Sequence, residues 1–162
     1  MLTKRRALAG GAAALAAIAG LPWLPPSRAA GNFEVTRTEA EWRRRLTAAQ
    51  FAVLRQSATE RPYTSPLNGE HRRGTFTCAG CDRDLFSSTT KFESRTGWPS
   101  FWEPLADAIG TESDNSFGTT RTAVHCARCG GHLGHVFDDG PRPTGLRYCM
   151  NGVAMNFRAV PA

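Results

Sequence analysis

Two Cys-x-x-Cys pairs, Cys78-Ala79-Gly80-Cys81 and Cys126-Ala127-Arg128-Cys129, constrain this chain more than any other feature. Each puts two thiols on one tight turn whose small residues let the backbone curl around a cation. Two such turns complete a tetrahedron of sulfurs at about 2.3 Å from a metal. Zinc imposes no geometry of its own and, with four thiolates, keeps no position open for a substrate. The expectation is therefore one structural Zn2+ per chain, held by Cys78, Cys81, Cys126 and Cys129. Iron in the same cage, or a pair of redox-active disulfides, are the alternatives. Of the five cysteines, only Cys149 is left over.

The formal charge of +6 suggests an acidic partner until its distribution is considered. Lys4, Arg5, Arg6 and Arg28 lie in a segment with no Asp or Glu, and the remainder carries 16 basic against 14 acidic side chains. A nucleic-acid reading loses its electrostatic footing, and none is expected as a partner. The first residues, Met1-Leu2-Thr3-Lys4-Arg5-Arg6, run into an Ala/Gly-rich apolar stretch from Ala7 to Leu24 and resemble a twin-arginine export signal. Ser27-Arg28-Ala29 offers small residues where a signal peptidase reads, so residues 1–29 are expected to be removed. The alternative, a retained anchor, is weakened by Gly10, Gly11, Gly20 and Pro22 within the stretch. A periplasmic protein follows, touching the membrane only in transit, with residues 30–162 as one domain and its core at about 47–160.

Abundant Gly and Pro and short apolar runs predict a mainly β fold of two antiparallel sheets braced by the metal, with short N-terminal helices. Thr38-Glu39-Ala40-Glu41 and Thr47-Ala48-Ala49-Gln50 have the form of capping boxes, so two helices should start there. Trp42 with Leu46, and Phe51 with Leu54, supply their buried stripes, while Arg43, Arg44 and Arg45 form a solvated edge. Beyond the turn-rich stretch Arg61 to Asn68, period-two patterning predicts strands at Thr75-Phe76-Thr77, Thr119 to His125, His132 to Phe137, Leu146 to Asn151 and Val153 to Val160. In the last, Val153, Met155, Phe157 and Ala159 would share a face.

Cys149 sits near the end of a strand in Arg147-Tyr148-Cys149-Met150-Asn151. A lone cysteine there is either a small buried hydrophobe or a nucleophile, and reactivity needs nearby donors or cations. Arg147, Asn151, His132 and His135 are the candidates. Strand alternation could send the two histidines to opposite faces. Gly97-Trp98-Pro99-Ser100-Phe101-Trp102 is either a rigid core corner or an apolar pocket wall, and His71 and His125 are assigned to structure.

Taken together, Gly97-Trp98-Pro99-Ser100-Phe101, His132-Leu133-Gly134-His135-Val136-Phe137 and Arg147-Tyr148-Cys149-Met150-Asn151, interleaved with the two Cys pairs, resemble the B-type methionine sulfoxide reductases from about Thr47 to Val160. The resemblance implies an enzyme that reduces the R epimer of methionine sulfoxide, chiefly in oxidised proteins, as a form of protein repair under oxidative stress. It implies Cys149 as nucleophile, forming a sulfenic acid. Trp98 would receive the substrate methyl group, and His132, His135 and Asn151 would orient and polarise the sulfoxide. Many members of the family carry a resolving cysteine in a Ser-Gly-Cys-Gly-Trp segment, which aligns with Ser94-Arg95-Thr96-Gly97-Trp98. Thr96 cannot form a disulfide, so an external thiol or a thioredoxin-like partner is expected to recycle Cys149. Arg95 replaces a small residue there, and a monomer is expected. The rival readings are a non-enzymatic zinc-ribbon-like binding module and a thiol-disulfide oxidoreductase using one Cys-x-x-Cys pair.

Overall fold

Two threonines begin the helices by satisfying backbone groups that the first turn leaves unpaired. The Thr38 N–H donates to the Glu41 carboxylate at 2.8 Å and the Glu41 N–H donates back to the Thr38 hydroxyl, opening α1 (Glu39–Arg45). Thr47 and Gln50 repeat this exchange for α2 (Ala48–Gln56), which stops where Ser57 turns left-handed at φ 56. The computed structural model describes residues 33–161. The export segment expected at 1–29 lies outside the described residues. Among them, no helix is long and apolar enough to cross a membrane.

Trp42, Phe51, Val53 and Leu54 are buried on the helices' inner side. Arg43, Arg44 and Arg45 are exposed, as expected of a solvated edge, although Arg43 also pairs with Glu39 and lies 4.0 Å over the Phe51 ring.

Nine strands follow, all paired antiparallel. β1 (Gly74–Cys78), β2 (Asp84–Ser87) and β9 (Met155–Ala159) form a three-stranded sheet in the order β2-β1-β9. The larger sheet contains β3 (Lys91–Phe92), β4 (Ser100–Phe101), β5 (Ile109–Asp114), β6 (Arg121–Cys126), β7 (His132–Phe137) and β8 (Arg147–Met150), in the order β3-β4-β8-β7-β6-β5. The sheets meet through aromatic rings. Phe86 of the small sheet stacks on Phe101 of the large one at 4.4 Å, and Phe76 meets Phe101 edge-on at 4.9 Å. All three are fully buried, and each contributes about 1.5–3 kcal/mol of transfer free energy.

Two expectations need correction. The strand expected from Thr119 starts at Arg121, because Ser116–Gly118 first form a 3-10 turn. The strand expected from Val153 starts at Met155, because Gly152–Ala154 form another 3-10 turn. Val153 therefore leaves the predicted shared face. Met155 is buried and Phe157 half-buried, whereas Ala159 is exposed. Four strands carried no usable period. β3 and β4 are two residues long, and β5 is an edge strand whose central residues are exposed and polar, so it has one face's worth of burial to advertise and little of it apolar.

Candidate active site and metal cluster

The two knuckles are built alike. The Cys78 carbonyl accepts from the Asp82 N–H at 2.8 Å and the Cys78 N–H donates to the Arg83 carbonyl at 2.8 Å. At the second knuckle the Cys126 carbonyl accepts from the Gly130 N–H and the Cys126 N–H donates to the Gly131 carbonyl, both at 2.9 Å. Each turn closes on a left-handed residue, Asp82 at φ 59 and Gly130 at φ 66. Because β1 and β6 lie in different sheets, the cluster ties the two sheets together. The guanidinium of Arg55 on α2 donates to the Cys129 carbonyl at 3.0 Å, and Arg128 donates to the Cys81 carbonyl at 3.2 Å.

The four sulfurs lie within 4.8 Å of one another. Cys78 and Cys129 are 3.7 Å apart and Cys81 and Cys126 are 3.6 Å apart. A tetrahedron of sulfurs at about 2.3 Å from a zinc ion has edges of about 3.8 Å, so the donor set and its spacing fit a metal of that kind. The thiols alone are in conflict. The hydrogen bond with Cys129 holds Cys126 below the ordinary thiol range, while the hydrogen bond with Cys126 pushes Cys78 above it. A cation at the centre removes that conflict by neutralising every thiolate at once. Cys78, Cys126 and Cys129 are buried, which leaves no exposed redox pair among these four.

Cys149 lies on β8 between two partners, opposite Ser100 of β4 and opposite His135 of β7. Directly opposed residues share a face, so the His135 ring and the Cys149 sulfur project to the same side. Gly134 permits this approach, since a Cβ there would run into the Cys149 carbonyl. Cys149 is half-buried and borders a pocket of about 110 Å³ lined by Thr59, Trp98, Arg121, His135, Phe137 and Asn151 among others. That is room for roughly four waters. Arg147, two residues away on the same face of β8, is in electrostatic and hydrogen-bonding contact with the sulfur. It is anchored by two 2.8 Å bonds to the Asp139 carboxylate, and that pairing holds the guanidinium above its ordinary range.

Plain alternation would separate His132 from His135. The pairing of β6 with β7 instead jumps from Val124 opposite Gly134 to His125 opposite His132, leaving Leu133 as an extra residue. This bulge turns the strand, and the two imidazoles meet edge-on with centroids 5.4 Å apart. They are not equivalent. His132 is 2% exposed and is not among the pocket-lining residues, whereas His135 is. The Nε2 of His135 lies 2.7 Å from Asp114 Oδ2, and Arg121 donates to the same oxygen at 2.8 Å. Hydrogen bonds from the Ser116 hydroxyl and N–H, then from His135, hold the Asp114 carboxyl well below the usual range.

Asn151 is 4% exposed, and both ends of its side-chain amide are engaged by backbone. Its Oδ1 accepts from the Glu60 N–H at 2.8 Å and its Nδ2 donates to the Leu133 carbonyl at 2.9 Å. The Glu60 carbonyl in turn accepts from the Trp98 indole N–H at 2.9 Å. Asn151, Glu60 and Trp98 thus form one chain that sets the indole against the pocket. The aromatic stretch around Trp98 serves both of its expected uses, with Trp98 on the pocket and Phe101 in the core.

Arg95 stands at φ 58, a left-handed conformation that suits a glycine, with its carbonyl held by the Tyr63 hydroxyl at 2.7 Å. His125 packs edge-on to Phe33 at 5.6 Å, and His71 is exposed. Asp114, Arg121, Glu60, Thr59 and Phe137 escaped the sequence reading. Asp114 ends an edge strand and Glu60 precedes a turn, and neither sits in a motif.

The SelR domain family matches residues 46–159. A peptide methionine sulfoxide reductase MsrB from Leptospira interrogans is 48% identical over 128 residues, covering 78% of this chain and 98% of that protein. Proteins of the same description from Bradyrhizobium diazoefficiens and Methanosarcina barkeri are 53% and 51% identical, covering 75% and 76% of this chain and 88% of each relative. With matches of this extent the binding-module reading falls away, and the chain belongs to the MsrB family of peptide methionine sulfoxide reductases.

Proposed function

We propose that this chain reduces the R epimer of methionine sulfoxide, chiefly in proteins, with Cys149 as the nucleophile. The observation that carries this reading is the pocket itself, where one half-exposed sulfur faces an imidazole and an indole at the ends of two separate hydrogen-bonded supports. The substrate methyl group packs on Trp98 and the sulfoxide oxygen points towards His135. Asp114 fixes the imidazole and stabilises its protonated form, so His135 delivers a proton to the oxygen. His132 acts behind it as an edge-on support. Asn151 acts through Glu60 and Trp98 by shaping the pocket.

Cys149 attacks the sulfoxide sulfur, the oxygen passes to the cysteine, and the thioether leaves. Sulfoxide and thiol become thioether and sulfenic acid, a two-electron exchange with no atom unaccounted for. Arg147 stabilises the thiolate that attacks. A first external thiol, small or on a thioredoxin-like protein, then displaces water from the sulfenic sulfur. A second thiol releases Cys149 and leaves a disulfide between the reductant sulfurs. Thr96 stands where a cysteine in the same chain could otherwise perform the first of these steps.

The four-cysteine cluster holds zinc in this reading, at Cys78, Cys81, Cys126 and Cys129, and the ion braces the two sheets. Residues 1–29 direct the folded, metal-loaded monomer to the periplasm by the twin-arginine route, with Arg5-Arg6 as the supporting feature. Lysine at both positions should abolish periplasmic appearance, and its persistence would contradict the route. For the reaction, Cys149→Ser should keep metal and fold while losing sulfoxide reduction. Retained activity in that variant would remove Cys149 from the mechanism.

A further inference from the structure

A file of three hydroxyl groups ends on the Cys149 sulfur, and none of its members lines the pocket. Thr96 Oγ1 lies 3.8 Å from Cys149 Sγ, Ser94 Oγ lies 2.8 Å from Thr96 Oγ1, and Ser100 Oγ lies 2.7 Å from Ser94 Oγ. Beyond them the Ser100 hydroxyl donates to the Trp98 carbonyl at 3.2 Å. Ser100 is 1% exposed and is the cross-strand partner of Cys149, so both ends of the file are fixed by the sheet.

Each hydroxyl has one hydrogen to give. With the Ser100 hydrogen on the Trp98 carbonyl, the short contact to Ser94 requires Ser94 to donate to Ser100. Ser94 then has nothing left to donate, so Thr96 donates to Ser94, and the last contact requires the Cys149 S–H to donate to Thr96. This direction suits the neutral thiol only. A thiolate must accept, which turns Thr96 towards sulfur, Ser94 towards Thr96 and Ser100 towards Ser94, and the Trp98 carbonyl gives up its Ser100 partner.

We propose that Thr96, Ser94 and Ser100 form a two-direction hydroxyl switch that couples the ionisation of Cys149 to the backbone of the pocket residue Trp98. The proposal rests on Cys149 being the nucleophile, and it deepens that reading by giving the sulfur a second set of partners opposite the charged ones. No proton travels along the file. Each hydroxyl rotates about its C–O bond, and the proton leaving sulfur passes to water at the pocket. Thr96 supplies the charge-assisted bond to the thiolate, and Ser94 and Ser100 are positioning residues.

The charged groups around the sulfur are Arg147 on β8 with its partner Asp139, His135 on β7 with Asp114, and Arg121 on β6. Glu93 holds the Arg95 N–H at 2.6 Å in the loop that carries Thr96, and Glu60 lies beyond Trp98. β4 brings only Ser100 and Phe101. These groups set where ionisation occurs, and the file shifts it.

The two directions are unequal, which makes the switch testable with the metal-loaded chain and without turnover. Thr96→Val removes the donor to the thiolate and should move the pH midpoint for alkylation of Cys149 by iodoacetamide upward by about one unit, with Thr96→Ser restoring it. Ser100→Ala deletes two bonds of the thiol direction against one of the thiolate direction, so it should move the midpoint downward by a few tenths of a unit. A merely structural role predicts no such opposition of sign. Trp98-Pro99 is the only Trp-Pro peptide in the sequence, so carbonyl-13C tryptophan with 15N proline isolates one signal. In the unmutated protein that signal should titrate with the alkylation midpoint and stop doing so in Cys149→Ser. A Trp98 carbonyl signal that ignores the midpoint, or equal signs for Thr96→Val and Ser100→Ala, would overturn the switch even in a fully active enzyme. A titrating signal in a protein that reduces no sulfoxide would sink only the proposed reaction.

Discussion

Asp114 Oδ2 and His135 Nε2 are 2.7 Å apart, and this pair joins an edge strand to the wall of the pocket that holds Cys149. The carboxylate fixes which imidazole nitrogen faces it and favours the protonated ring. Asp114→Asn keeps the shape and loses the charge. We expect kcat to fall roughly 100-fold while iodoacetamide still alkylates Cys149, because the donor of the proton is impaired and the nucleophile is not. An unchanged kcat would detach Asp114 from the reaction.

The same carboxyl sets an acid limit on stability. Its folded-state value is depressed from 3.8, first by the Ser116 hydrogen bonds and then by His135. A depressed carboxyl stabilises the fold above its unfolded value and loses that contribution as pH falls towards the folded one. Urea unfolding should show a constant gap between unmutated protein and Asp114→Asn at neutral pH. The gap should shrink as pH drops below 3.8.

Asn151→Ala removes a bond to the Glu60 N–H and another to the Leu133 carbonyl at a buried position. A loss of about 2–3 kcal/mol in urea unfolding is expected, since two backbone groups are left unsatisfied. Because Glu60 holds the Trp98 indole, KM should rise more than kcat falls. A pure loss of kcat would assign Asn151 to the chemical step instead.

Thr96 Oγ1 already stands 3.8 Å from the Cys149 sulfur, so Thr96→Cys places a second thiol within reach. After one turnover without reductant, mass spectrometry should find a disulfide between positions 96 and 149 in that variant. The unmutated protein should instead hold a sulfenic acid at Cys149.

Metal removal should act on the whole fold rather than on the pocket, since the cluster joins β1 of one sheet to β6 of the other. One zinc per chain is expected by elemental analysis. Cys81→Ser, at the least buried of the four positions, should abolish it and lower Tm by roughly 10 °C or more.

The knuckles, the capping boxes and the strand that carries Cys149 were legible because each is local. A Cys-x-x-Cys turn and a Thr-x-x-Glu cap are set by residues within one turn of chain. The pocket was only half legible. Trp98, His135 and Cys149 sit in recognisable segments, but Asp114 reaches His135 across 21 residues and Glu60 reaches Asn151 across 91. Such contacts exist only once the sheets are assembled. The bulge at Leu133 was hidden for the same reason, since it is a mismatch between two strands and not a property of either. β5 was missed because an edge strand needs few apolar residues, yet it delivers Asp114.

The account centres on Cys149 reducing one epimer of methionine sulfoxide through a sulfenic acid. Its most direct test is a single turnover of the metal-loaded protein with the separated R and S epimers of dabsylated methionine sulfoxide, quenched with a sulfenic-acid trap. The R epimer should yield one equivalent of dabsyl methionine and one trapped adduct located at Cys149, and the S epimer neither. Turnover confined to the S epimer, or reduction of the R epimer that leaves Cys149 unmodified, would contradict it.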